Sequence, residues 1–237
     1  MLLAVTLTFG GVAAQLSEPH GEALRDVRGH VAVTIAGSRM VMKDASNVVI
    51  WLEPLDPTAP TGAAYPPHKY VMEQHHKSFQ PTTLVVPVGA AVDFPNLDPW
   101  FHNVFSLYRG KRFDLGLYEA GSRKQVVFDR PGASYIFCNI HPQMHAVVLA
   151  VGSEYFGISD KTGRVSISGV PSGTYKMHVW YEEAAAETLG ALVRKLTFGN
   201  GDRAFPPISV VALKSDPMNH KNKYGEDYDS TEQNPKY

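Results

Sequence analysis

The chain of 237 residues contains a single cysteine, Cys138. One thiol excludes an intramolecular disulfide and any cluster held by four cysteines, and leaves Cys138 as either a buried core residue or a ligand. Charge of one sign is equally scarce. The 22 Lys and Arg against 23 Asp and Glu give a formal net charge of −1, and the basic residues are scattered rather than blocked. With no phosphate-cradling glycine fingerprint either, neither nucleic acid nor nucleotide is expected as a partner. No apolar run approaches the roughly 20 residues needed to cross a bilayer. Residues 1–14 are apolar, rich in small residues and end in Val-Ala-Ala, which fits a secretory signal cleaved after Ala14, although no Lys or Arg precedes them. No cysteine follows to carry a lipid. The expectation is a periplasmic or extracellular protein without a membrane anchor.

Hydrophobic residues make up 44% of the chain, ample for the core of one or two domains. They fall in short runs. Residues 27–35 alternate apolar and polar positions, and 48–52 form a continuous apolar run, so both are expected as strands. Residues 56–67 contain four prolines and should form a linker. Strand candidates then follow closely at 70–74, 83–88, 91–94, 102–106, 124–128, 134–138 and 146–151, a spacing that suggests an antiparallel sandwich. Beyond 153, glycine-bearing turns (FGISDKTG at 156–163, GVPSGTY at 169–175) are flanked by further strands. A short helix is expected at 182–189 from its Ala and Glu content, and closing strands at 193–198 and 208–213. Residues 214–237 have few aliphatics and many charges and amides, so a disordered tail is expected. The fold class is all-β.

The chemistry concentrates in YIFCNIHPQMH at 135–145. Counted from Cys138 the pattern is C-x-x-H-x-x-M, with His141 and Met144 on a short loop between two apolar strands. Thiolate, imidazole and thioether together favour copper over zinc, magnesium or calcium. A second imidazole is available upstream at His102, in FPNLDPWFHNVFS at 94–106. Two histidines and a cysteine in a trigonal plane with a long axial methionine make an electron-transfer copper site. Pro142 restricts both its own torsion and that of His141, so the loop should hold its donors largely in place.

Residues 66–152 resemble the cupredoxins, the type 1 blue copper proteins. The compressed ligand loop is most similar to that of amicyanins, with plastocyanins more distant, and the stretch also resembles proteins labelled as methylamine utilization. The resemblance covers Phe79-x-Pro81, Val88-Gly89, Val92-x-Phe94-x-Asn96 and His102-Asn103-Val104. It implies a Greek-key sandwich holding one type 1 copper per chain, with His102, Cys138 and His141 as close ligands and Met144 as the axial one. It also implies that Asn103 donates a hydrogen bond toward the Cys138 sulfur, and that Trp100, Phe101 and Pro142 rim His141. A redox protein, a cytochrome or a dehydrogenase or oxidase, would dock there. His145 is an alternative axial donor if the loop turns differently. His75 and His76 should point to opposite faces of a strand as surface imidazoles, and His20, His30, His68, His178 and His220 are expected to be structural or solvated.

Residues 156–180 resemble the carboxypeptidase regulatory-like, transthyretin-type β-sandwich, whose opening strands would be those at 27–35 and 48–52. A discontinuous domain of 27–57 plus 153–213 is therefore expected, with the cupredoxin inserted into it. The functional expectation is a soluble, non-enzymatic carrier of single electrons. The alternatives are a copper carrier or store, or a subunit of a copper oxidase or reductase, although the His-x-His pairs on which such enzymes place further copper are absent.

Overall fold

The computed structural model describes residues 25–38, 40–56, 69–107, 110–199, 201, 203–213 and 221–227. The expected signal segment, residues 57–67 of the linker, and His20, His68 and His220 lie outside these. In chain order the strands are β1 (Arg25–Ile35), β2 (Val49–Pro54), β3 (Tyr70–Val71), β4 (Glu73–His75), β5 (Ser78–Gln80), β6 (Thr83–Pro87), β7 (Ala91–Pro95), β8 (His102–Ser106), β9 (Phe113–Tyr118), β10 (Arg123–Val127), β11 (Gly132–Phe137) and β12 (His145–Val151). They continue as β13 (Phe156–Ile158), β14 (Arg164–Val170) and β15 (Gly173–Trp180), then helix α1 (Ala186–Ala191), β16 (Arg194–Phe198) and β17 (Ile208–Ala212). The protein is an all-β assembly of sandwiches.

Four sheets stack as layers with three apolar seams between them. The outermost sheet, β10-β7-β3, faces the five-stranded sheet β6-β12-β11-β8-β9 across a core that includes Phe94, Phe128, Ile136, Val148 and Cys138. On the far side of the molecule, β14-β1-β17 faces β13-β2-β15-β16 across a core of Val31, Ile50, Ile167, Tyr175 and Val210 among others. A third cluster, Val49, Val85, Leu149 and Val151 with Trp51 and Trp180 against it, joins the two inner sheets back to back. This arrangement explains why 146–151 is apolar throughout rather than alternating. Ala146, Val148 and Ala150 enter one core while Leu149 and Val151 enter the seam behind, so both faces of β12 are covered. Each fully buried Val or Leu there contributes on the order of 2 kcal/mol of transfer free energy.

Strands from both sides of 66–152 pair with one another. β1 lies between β14, antiparallel, and β17, parallel, while β2 lies between β13 and β15, both antiparallel. The chain leaves and re-enters this part at one place. The Leu52 amide donates to the Tyr155 carbonyl at 2.9 Å, and the Ser153 hydroxyl donates to the Leu52 carbonyl at 2.5 Å. The Asp160-Lys-Thr-Gly163 turn is closed by the Asp160 carboxylate, whose Oδ1 accepts from the backbone amides of Thr162 and Arg164. Gly163 has φ +80°, and a Cβ there would sit 2.0 Å from the Val31 carbonyl oxygen, so only glycine fits. The Tyr175 hydroxyl donates back to the Pro171 carbonyl at 2.9 Å.

Several expectations are corrected. The strand expected at 70–74 is broken into β3 and β4, with β4 turning at once into β5. His75 and His76 therefore do not point to opposite faces of one strand. His75 ends β4 and His76 begins the hairpin turn, with their ring centroids stacked 3.8 Å apart. Strand β9 was not anticipated, because its inward phase changes midway. Phe113 and Leu115 pack on the core, Leu117 is exposed, and Tyr118 is buried again. A register shift against β8 between Asn103 and Phe105 accounts for the change, since an extra residue on one strand turns its later side chains over. The helix lies four residues later than expected at its start. Of the tail expected to be disordered, 221–227 forms an ordered turn, in which Asn222 Oδ1 accepts from the amides of Tyr224 and Glu226.

The pairing generates a prediction. A fragment of 153–213 lacks β1 and β2, the strands through which β14 reaches β17 and β13 reaches β15, so it should show no cooperative thermal transition. Circular dichroism melting checks this, and a sharp transition would show that the strand partners are dispensable.

Candidate metal centre

Cys138 follows directly on β11, and His145 opens β12 opposite Phe137, so the residues between must turn back within one tight loop. Two backbone bonds close it: the Met144 amide donates to the His141 carbonyl at 3.0 Å, and the Cys138 amide donates to the Met144 carbonyl at 3.4 Å. Pro142 and Gln143 project at its apex. His102 starts β8, and antiparallel pairing of Phe105 with Phe137 carries it alongside this loop.

Three of the four expected donors converge. His102 Nδ1 lies 3.1 Å from His141 Nδ1, and Cys138 Sγ lies 3.9 Å from His102 Nδ1 and 3.7 Å from His141 Nδ1. A triangle with these sides has its centre about 2.1 Å from each corner, the bond length from an imidazole nitrogen to a first-row metal ion. His102 and Cys138 are fully buried and His141 is 4% exposed. Met144 is fully buried in the same core cluster as Cys138, and its backbone closes the loop. The soft thiolate and two imidazoles with a buried thioether alongside fit copper.

Asp98, which sequence reasoning missed, organises one side of the centre. Its Oδ2 lies 2.8 Å from His102 Nε2 and accepts from the Lys77 amide at 2.8 Å, while its Oδ1 accepts from the His76 amide at 2.7 Å. A carboxylate can only accept, so Nε2 carries the proton and the lone pair of Nδ1 faces Cys138 and His141. His76 and Lys77 have φ of +54° and +51°, a left-handed pair that non-glycine residues seldom adopt. Their aligned amides form a cradle for the carboxylate. Asn96 holds the Asp98 loop in turn. Its Oδ1 accepts from the Asp98 amide at 3.1 Å and its Nδ2 donates to the Trp100 carbonyl at 2.7 Å. The available signal was an aspartate four residues before a ligand histidine.

The electrostatics suit neutral imidazoles. Burial pushes His102 below its ordinary 6.5, outweighing the opposing pull of Asp98. Burial, then the neighbouring charges of His102 and Lys77, takes His141 down to about 4. Burial raises Cys138 above 9.0 in the metal-free chain, against the amides of Asn103, Ile140 and His141 that point at its sulfur. Burial also raises Asp98, but the hydrogen bonds from Lys77, His102 and His76 outweigh it and leave the carboxyl below its usual range.

Asn103 meets the sulfur through its backbone amide, whereas its side-chain Nδ2 donates to Asp114 Oδ1 at 2.7 Å. His145 is turned away from the donors, with Nε2 2.7 Å from Glu182 Oε1 in the second sandwich. Trp100 and Phe101 are 37% and 49% exposed and Pro142 is exposed, whereas His141 is nearly covered. Of the remaining histidines, His178 stacks on Trp51 at 4.7 Å and pairs with Glu53, and His30 Nε2 lies 2.9 Å from the Thr162 carbonyl.

No protein-family model matches the chain, and no curated protein matches it. Solved structures similar to part of it include a Cu-containing nitrite reductase (NirK) from Thermus scotoductus SA-01, with 25% identity over 41% of this chain and a TM-score of 0.35. The match spans only 27% of that enzyme. A purple cupredoxin from Nitrosopumilus maritimus matches at 24% identity over 35% of this chain and all of its own length, with a TM-score of 0.32. A variant of amicyanin in the reduced Cu(I) form matches at 19% identity over 43% of this chain and 98% of its own, with a TM-score of 0.34.

Two predictions follow from the geometry and charge. With both imidazoles neutral and the thiol protonated near pH 7, Cu(II) binding should release one proton, from Cys138, across pH 6.5 to 7.5. A pH-stat titration measures it, and release of two or more would show that the imidazoles are charged. Asp98→Asn supplies a single acceptor oxygen where three donors converge, so copper affinity should fall between about tenfold and a hundredfold, measured by competition with a chelator.

Proposed function

We propose that this protein is a type 1 copper protein of the periplasm or extracellular space that carries single electrons between redox partners. The observation that carries this reading is the convergence of His102 Nδ1, Cys138 Sγ and His141 Nδ1 in a buried triangle of bonding size, with the Met144 side chain buried in the same core. Copper held by these residues would supply one-electron chemistry. The protein's own contribution is to keep the donors in one arrangement in both oxidation states. The two-sided burial of β12, the closed loop and the Asp98 cradle all serve that end, because any ligand shift adds to the barrier for electron exchange.

Burial also supports a carrier over an enzyme or an exchangeable store. Full burial of His102, Cys138 and Met144 leaves no approach for a substrate, and the enclosure opposes ready loss of metal. The exposed Trp100, Phe101 and Pro142 lie at the end of the sandwich that holds His141, with Lys77 Nζ 4.9 Å from the Trp100 ring centroid. In this reading, that face receives the redox protein partner. Residues 66–152 form the copper-carrying unit, seated within a host of 27–57 plus 153–213 whose sequence resembles regulatory-like sandwiches. The strand pairing and the Leu52 junction with Ser153 and Tyr155 support that division.

The test is the visible spectrum of protein loaded with Cu(II). An intense thiolate-to-copper band is expected, and Cys138→Ser should lose it while the far-ultraviolet circular dichroism stays unchanged. Bound copper without such a band in the wild type would reject the type 1 reading.

A further inference from the structure

The ordered part of the C-terminal tail lies against the metal centre, and nothing in its composition announced this. Lys223 makes two bonds there. Its backbone amide donates to Asn139 Oδ1 at 2.9 Å, and its ammonium donates to Asp114 Oδ2 at 2.9 Å. Asn139 is one step from a ligand and Asp114 is two. Asn139 follows Cys138 in the loop, while Asp114 Oδ1 accepts from the side chain of Asn103, which follows His102 and sends its backbone amide to the Cys138 sulfur. A single residue of the tail thus ties the loop carrying Cys138 and His141 to the strand pair carrying His102.

The tie is a shaped one. Asn222, immediately before, closes the 222–226 turn through four bonds. Its side chain accepts from the Tyr224 and Glu226 amides, its own amide donates to the Glu226 carbonyl, and its carbonyl accepts from the Gly225 amide. That turn fixes the direction in which Lys223 leaves the backbone. Asp114 is likewise pre-set, since its Oδ1 also accepts from the Gly116 amide at 2.9 Å, in the part of β9 where the register shifts. Burial alone would raise the Asp114 carboxyl, but the bonds from Lys223, Gly116 and Asn103 bring it below the usual range. It therefore faces Lys223 as an anion, and the ammonium bond is charge-assisted.

We propose that residues 221–227 are a strap across the metal centre, with Lys223 as a positioning residue that holds the two ligand-bearing segments together and slows the escape of copper. This rests on the proposed copper-binding function. Opening the loop far enough to release a metal ion requires Asn139 to separate from Asp114, and Lys223 bridges the two. Both bonds of Lys223 go to Asn139 and Asp114 rather than to a ligand side chain, so the strap should govern how fast metal leaves more than which metal is bound.

The experiment loads the full-length protein with Cu(I) and follows transfer to excess bathocuproine disulfonate, with the thiolate-to-copper band of the Cu(II) form recorded in parallel. Deletion of 214–237, which removes both bonds, should speed release about tenfold, and Lys223→Met, which removes only the ammonium bond and keeps the backbone one, about threefold. Lys195→Met, an exposed lysine on β16 remote from the centre, should leave the rate unchanged. The melting temperature of the metal-free chain should be little altered by Lys223→Met, which separates an effect at the centre from a general loss of stability. A coloured wild type whose release rate matches that of both tail variants within twofold overturns the strap and leaves the copper-binding reading intact. A wild type that binds no copper overturns both. If the deletion variant does not fold, Lys223→Met decides by the same criterion.

Discussion

Strand β12 is covered on both faces, and the rest of the molecule is arranged around that constraint. A one-residue slip of β12 would exchange Ala146, Val148 and Ala150 with Leu149 and Val151 between the two cores, so packing on both faces, rather than on one, specifies its register. Its register with β11 and β6 is thereby held from two directions. Phe137 stays opposite His145, and the loop from Cys138 to Met144 inherits fixed ends. The ligand loop can be short because its anchors do not move.

From those anchors the site is assembled by hydrogen bonds of decreasing locality. The loop closes on itself through His141 and Met144. The opposite ligand, His102, is oriented by Asp98, which depends on a left-handed turn more than twenty residues earlier. The sulfur receives amides from both ligand-bearing segments. None of these contacts is energetically large alone. Together they leave each donor few alternative positions, and under the proposed electron-carrying role that restriction matters more than affinity.

Much of this could be read from residues close in sequence. Cys138, His141 and Met144 announce themselves because three soft or borderline donors fall within seven positions, and His102 because it opens an apolar strand after a polar turn. The strands at 27–35 and 48–52 were legible from alternation and from a continuous apolar run. What could not be read depends on partners remote in sequence. Asp98 looks like any loop aspartate until the amides of His76 and Lys77 are placed around it. The phase change in β9 is invisible to a periodicity argument, because one extra residue reverses which side chains point inward. Residues 221–227 have the composition of disordered chain, and they are ordered by Asp114 and Asn139 rather than by an apolar core of their own. Asn103 shows a different limit: its backbone amide meets the sulfur while its side chain serves Asp114, a division of labour that sequence does not display.

The junction at Leu52 has a mechanical consequence. The chain on the two sides of residues 69–151 is joined at one spot, where the backbone of Leu52 is bonded to Tyr155 and to the Ser153 side chain. β1 pairs directly with β17, so tension applied between residues 25 and 213 would load that ladder first and bypass residues 69–151. The cluster of His102, Cys138 and His141 is shielded from that load until the ladder between β1 and β17 parts. A sheet that shears under strain in this protein would do so without first disturbing the proposed metal centre.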